Sequence, residues 1–251
     1  MKKVFAFVAT FALFASTQAF AIAGVGAHYV MNTGSLKADR KDITTDVGTI
    51  TVNQEGASGL QGLGFKAWID FLPFIDIEGT FNVAAVRYKT SLITEILGEK
   101  KSIPLSYSPD APYNMIFDRA DPLYGIFSGD VSITYPFDII PVICPYIGAG
   151  VSYLASIPIV NASFAEGIIK NAVKDADTDI SLDGLDGKVI DALKNANYKT
   201  GIGGHIIAGL RIKPPVIPLA VYANGKYYFG GDVGKQFTQG FVLEVGGGFA
   251  L

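Results

Sequence analysis

The densest cluster of potential ligands is DADTDISLDGLD, residues 175–186. Asp175, Asp177, Asp179, Ser181, Asp183 and Asp186 fall at the alternating spacing with which a calcium loop presents its oxygens, and Leu182 occupies the apolar eighth position. The sixth position, where the loop turns sharply and needs Gly, is Ile180, and the twelfth is Asp186 instead of a bidentate Glu. The segment is therefore a candidate for weak calcium binding at most, with a solvated acidic loop as the plain alternative. It is flanked by SFAEGIIKNAVK (163–174) and GKVIDALKN (187–195), whose apolar residues recur at helical spacing, the first after a Ser cap. Two short helices are expected there, and no other cofactor is expected.

Catalytic chemistry finds little to build on. The chain has two histidines, His28 and His205, both inside alternating segments and neither beside a recognisable Ser/Asp cluster. No metal-protease or phosphate-loop pattern occurs, and GVG, GLG and GIGG complete no dinucleotide fingerprint. The remaining chemistry lies in charges spaced by twos. FKAWIDFLPFIDIEGTF (65–81) sets Lys66 and Asp70, then Asp76 and Glu78, against an otherwise apolar background. Asp130, Arg211, Lys213, Lys226 and Glu244 sit the same way in their own segments. Because strand side chains point to opposite faces with period two, each such segment is a strand with one apolar and one charged face.

Eight strands follow from this alternation: around 24–31, 65–71, 75–82, 127–135, 146–153, 200–213, 219–229 and 240–251. Their connections alternate in length. Three are short and hold proline, around Pro73, Pro136–Pro141 and Pro214–Pro218; three are long and polar, at 33–58, 88–122 and 155–198, with a shorter fourth at 230–238. Short turns at one end and long loops at the other are the layout of a β-barrel that crosses a membrane.

Periodicity alone does not say which face meets water. In a soluble carrier of the lipocalin kind the apolar face lines the interior; in a bilayer it meets lipid. Loop sorting, glycines on the charged face (Gly24, Gly26, Gly148, Gly150, Gly246, Gly248) and aromatics near strand ends favour the bilayer. A net charge of −3 argues against nucleic acid as partner. Residues 1–21 carry Lys2 and Lys3, an apolar run and Ala19-Phe20-Ala21, the pattern of a cleaved signal peptide, leaving 22–251 as the barrel. The lone Cys144 excludes an internal disulfide.

PYIGAGVSY (145–153) and the ending VGGGFAL (245–251) resemble the eight-stranded bacterial outer-membrane barrels, the superfamily of the outer-membrane protein A barrel domain and outer-membrane proteins X and W. Gly246, Phe249 and Leu251 are similar to the terminal barrel-assembly signal of that group, although its last residue is usually aromatic. The resemblance implies an all-β, antiparallel up-and-down transmembrane barrel with short periplasmic turns and long extracellular loops, exported to the cell outer membrane. It implies outer-membrane lipid, lipopolysaccharide and the barrel-assembly machinery as partners. It leaves open whether Lys66, Asp70, Asp76, Glu78, Asp130, Arg211, Lys226 and Glu244 plug the lumen or select solutes in a narrow porin-like channel. A surface adhesin acting through the long loops remains the alternative, and a soluble carrier the third reading.

Overall fold

In a computed structural model of the chain, residues 23–45, 48–70, 74–96, 99–104, 121–137, 142–157, 199–214 and 217–250 are described, and all regular structure among them is β. Thirteen strands follow in order: β1 (Gly24–Leu36), β2 (Asp39–Thr45), β3 (Gly48–Gln54), β4 (Ala57–Ile69), β5 (Asp76–Arg87), β6 (Thr90–Ile96), β7 (Glu99–Pro104), β8 (Leu123–Pro136), β9 (Ile143–Ser156), β10 (Lys199–Ile212), β11 (Leu219–Gly230), β12 (Phe237–Thr238) and β13 (Phe241–Ala250).

Eight of them close on themselves. The order β1-β4-β5-β8-β9-β10-β11-β13 is antiparallel throughout, and β13 returns to β1 through a ladder from Gly24↔Ala250 to Asn32↔Val242. Each wall strand has 10–14 residues, the length needed to cross a bilayer when tilted (about 9–11). Closure leaves the paired part of the wall without an edge, so the backbone amides of its ladders find partners without water.

The alternation sorts as a membrane requires. Phe65, Val151 and Ile202 are 67%, 62% and 78% exposed, in a continuous belt with Val25, Leu63, Phe81, Val131, Ile206 and Val245. Lys66, Glu78, Asp130, His205, Arg211, Lys226 and Glu244 are buried inside. Aromatic residues stand outward near the strand ends, among them Phe74, Tyr135, Phe137, Tyr153, Tyr227 and Phe229. This is an inside-out protein, and the third, soluble reading fails on it.

Two features go beyond what the alternation sets out. The segments 33–58 and 88–122 are not plain loops: they carry β2, β3, β6 and β7, which form a second, four-stranded antiparallel sheet in the order β2-β3-β6-β7. Its β3–β6 seam, Gly48↔Ile96 to Gln54↔Thr90, ties the first outer connection to the second. Ile43, Ile50, Val52 and Leu92 share one face by register and are buried, which is why these charged sequences hold strands. The lumen, in turn, is not uniformly polar. Its outer half is an apolar core of Val30, Leu36, Leu60, Tyr124, Ile126, Leu154 and Val242.

That core is capped from the fourth connection. Gly230 and Gly231 adopt φ of 72° and 66°, left-handed values open to glycine at little cost, and turn the chain back over the mouth. Val233 and Phe237 drop into the apolar core, Phe237 against Tyr124 with ring centroids 5.4 Å apart. Ser156 Oγ donates to the Val233 carbonyl at 2.9 Å, and the Lys37 amide donates to the Gln236 carbonyl at 2.8 Å.

Candidate functional site: the lumen

Register brings the inward charges together. At the short-turn end Lys213 pairs with Asp70, and Arg211 Nη1 lies 3.5 Å from Asp70 and 3.2 Å from Asp76. Arg211 also pairs with Glu78, whose other oxygen lies 2.7 Å from Lys66 Nζ. Lys66 donates onward to Tyr146 Oη (3.0 Å) and Asn224 Oδ1 (3.2 Å). Asn224 Nδ2 donates to Glu244 (2.7 Å), as does Asn82 Nδ2 (2.8 Å). Lys226 then bridges Glu244 at 2.8 Å and Asp130 at 2.9 Å, and Tyr228 Oη donates to Asp130 at 2.8 Å. All nine charges that the alternation places on the inward face, Lys213 included, belong to this network.

Each of the eight wall strands contributes to it. β1 supplies His28, which contacts Asn82 Oδ1 at 2.7 Å and Tyr222 Oη at 3.1 Å. Aromatic faces fill the gaps between charges: Arg211 lies over Trp68 (5.0 Å to the centroid) and Lys66 over Tyr222 (4.9 Å), contacts that add cation–π attraction in a desolvated site. An eight-stranded barrel is only just wide enough for its own side chains, and these side chains span it.

The glycines on this parity make room. A Cβ on Gly26 would lie 2.9 Å from Tyr222 Oη, and one on Gly150 2.6 Å from the His205 ring. Gly246 faces inward against His28, and Phe249 faces outward.

One juxtaposition was not anticipated. Ser132 Oγ and Ser152 Oγ take the two ring nitrogens of His205, at 2.8 and 2.7 Å. The signal lay in register, which sets Ser132 opposite Gly150 and Gly150 opposite His205. The imidazole is fully buried and both its nitrogens are occupied, so this serine–histidine contact is a packed interior group. A cavity of about 30 Å³ runs from Asn82 and Ser128 of the polar layer into the apolar core, where Val30, Ala84, Leu154 and Val242 line it, room for one or two waters.

Among the described residues no three His, Cys, Asp or Glu converge on a metal position. The candidate calcium loop (Asp175, Asp177, Asp179, Ser181, Asp183, Asp186), its flanking helices, the leader 1–21 and Leu251 lie outside the described residues.

The closed strand order, polar interior and apolar exterior define an eight-stranded transmembrane β-barrel, the architecture of the outer-membrane barrels that the sequence resembles. No protein-family model and no curated protein matches the chain. Solved structures similar to it include Ail, the attachment invasion locus protein of Yersinia pestis, at 10% identity and TM-score 0.41 over 90% of this chain and 96% of that one. The outer membrane protein OprG of Pseudomonas aeruginosa matches at 12% identity and TM-score 0.34 (89% and 95%). The beta domain of the Bordetella autotransporter Brka matches at 7% and 0.31 (92% and 100%). At such identities and scores these likenesses carry no weight, and the class rests on the chain's own geometry.

Proposed function

We propose that the chain is an exported, non-enzymatic barrel of the bacterial outer membrane whose lumen is shut, so that it works as an envelope anchor. The observation that carries this reading is the lumen network: Arg211, Glu78, Lys66, Asn224, Glu244, Lys226 and Asp130 cross the interior in unbroken contact. An ion entering would have to replace contacts to buried, paired charges, which is costly in a low-dielectric interior. The apolar core beyond it, capped by Val233 and Phe237, adds a second seal. Planar-bilayer recording on the purified barrel tests the proposal. A silent bilayer at protein levels that give heat-modifiable, inserted barrel supports it; regular single-channel steps from the unaltered protein overturn it in favour of a narrow porin-like channel.

A second reading, that the protein presents a surface to a partner, is favoured by the β2-β3-β6-β7 sheet. It prolongs the barrel wall past the belt by strands of 6–7 residues, on the order of 20 Å at 3.3 Å per residue. Deleting residues 39–54 and 90–104 removes the sheet. Loss of cell-surface or matrix adhesion with the barrel still inserted supports this reading, and unchanged adhesion refutes it.

A further inference from the structure

Lys66 stands apart from the other buried lysine of the lumen because its ammonium touches an amide as well as a carboxylate. Its Nζ lies 2.7 Å from Glu78 Oε2 and donates to Asn224 Oδ1 at 3.2 Å. Lys226, by contrast, faces the carboxylates of Asp130 and Glu244, whose carbons a nucleophile does not attack. Around Lys66 and Asn224 stand the other groups that an amine needs to attack an amide. Glu244 Oε2 accepts from Asn224 Nδ2 at 2.7 Å, while its Oε1 is held by Lys226 and Asn82, each at 2.8 Å. Tyr146 Oη donates to Asn224 Oδ1 at 3.3 Å. Arg211 fixes one oxygen of Glu78 and leaves Oε2, which takes no hydrogen bond from elsewhere, turned to Lys66. All of these side chains are buried, and the ring centroids of Tyr146 and Tyr222 lie 5.2 and 4.9 Å from Nζ.

We infer that Lys66 and Asn224 condense into an isopeptide bond inside the barrel, with release of ammonia. Lys66 passes a proton to Glu78, a transfer that removes two charges from a desolvated interior and is eased there. The amine lone pair adds to Asn224 Cγ, and the carbonyl oxygen takes up negative charge against the Tyr146 hydroxyl. Glu244 accepts a proton from the added nitrogen and hands it to Nδ2. The Cγ–Nδ2 bond then breaks with its electron pair on nitrogen, ammonia leaves, and the carbonyl reforms. Ammonia collects the proton held on Glu78 and departs as ammonium, so atoms and charges balance without oxidant, metal or second substrate. Asn224 Cγ lies about 1.2 Å, one carbon–oxygen bond, beyond the atom that Lys66 already touches. The flexible lysine stem closes that gap to a near-attack contact of about 3–3.5 Å.

Topology agrees with the chemistry. In the wall order β4-β1-β13-β11, Lys66 on β4 and Asn224 on β11 stand on either side of the β1–β13 seam. They meet only once that seam is sealed, and the bond then ties it shut from within. The competing reaction of Asn224, cyclisation onto the following Gly225, is opposed by the fold. Both residues are paired on both sides, with Gly209 and Ala208 of β10 and with Glu244 and Leu243 of β13, which holds the Gly225 amide away from Cγ. The bond does not depend on whether the barrel conducts.

The full chain is refolded into lipid vesicles from a denatured, never-folded preparation, and its intact mass is followed in time. The mass is expected to fall by one ammonia as heat-modifiable barrel accumulates, while the same chain kept in denaturant retains its full mass. Digestion of the folded product should yield a branched peptide joining the Lys66 and Asn224 segments. Tyr146→Phe, which keeps the ring and removes the hydroxyl, should insert normally and lose mass about a hundredfold more slowly, the effect of removing one oxyanion donor. Inserted barrel that keeps its full mass overturns the inference. Loss of ammonia with no branched peptide also overturns it, since that is cyclisation at Asn224-Gly225, as does equal mass loss by the denatured chain.

Discussion

Lys226 is the point at which the lumen is most exposed to a single change. Its ammonium and both carboxylates it touches are fully buried, at 2.8 Å from Glu244 and 2.9 Å from Asp130. At an effective dielectric constant near 20, each contact is worth about 6 kcal/mol of Coulomb attraction, set against a desolvation cost of several kcal/mol per ion. Lys226→Met removes the attraction and leaves both carboxylates desolvated, for a net loss of about 3–5 kcal/mol. That is two to three and a half decades in the folding equilibrium, about 1.4 kcal/mol per decade. The assay is urea unfolding of the barrel in lipid vesicles, followed by heat-modifiable migration and tryptophan fluorescence, for which Trp68 is the sole reporter. Adding Glu244→Gln and Asp130→Asn to Lys226→Met should recover most of the loss, since neutral groups of the same shape leave no bare charge behind. A cost below about 1 kcal/mol for the single variant, the range of a solvent-screened pair, would refute the description of the interior as desolvated.

The two glycine environments separate by the same logic. Gly150→Ala drives a methyl into the Val131 carbonyl and the His205 ring and should cost about 1–3 kcal/mol as overpacking; Gly129→Ala, with nothing near the added carbon, should change stability by less than about 0.5 kcal/mol in the same unfolding assay. Cys144, the only cysteine, lies on β9 beside the short connection into that strand. A membrane-impermeant maleimide added to intact cells should leave it unlabelled and should label it once the outer membrane is permeabilised. Labelling of intact cells would reverse the orientation assigned to the barrel.

Much of the wall was legible in the sequence because a membrane imposes an alternation that a soluble fold only approximates. Phe65-Lys66-Ala67-Trp68-Ile69 states its two faces outright, and every charge at such a position does point inward. Partners were not legible. Nothing in the local pattern at Lys226 names Asp130, almost a hundred residues earlier; that pairing depends on closure of the barrel and on the register of each ladder. The apolar outer lumen was hidden because there both faces are dry. In Phe241-Val242-Leu243 the inward Val242 reads like its lipid-facing neighbours. The outer sheet was masked by its charges: DRKDITT looks like loop until Ile43 is set beside Ile50 across the hairpin. The extra contact at His205 needed three strands in register before Ser132 and Ser152 could be seen to meet it.

The spread of the lumen network over all eight wall strands, with its charges on six of them, also bears on the order of events in assembly. While any seam is open, Lys66, Asp130, Glu244 and their neighbours face a water-filled groove and need no mates. Sealing the last ladder, β13 onto β1, expels that water and leaves each charge only the partners described above. Seam closure and drying of the interior are then one step, and a sheet missing a strand has no stable dry form in which to stop. Such a chain keeps its polar side wet for as long as it is incomplete.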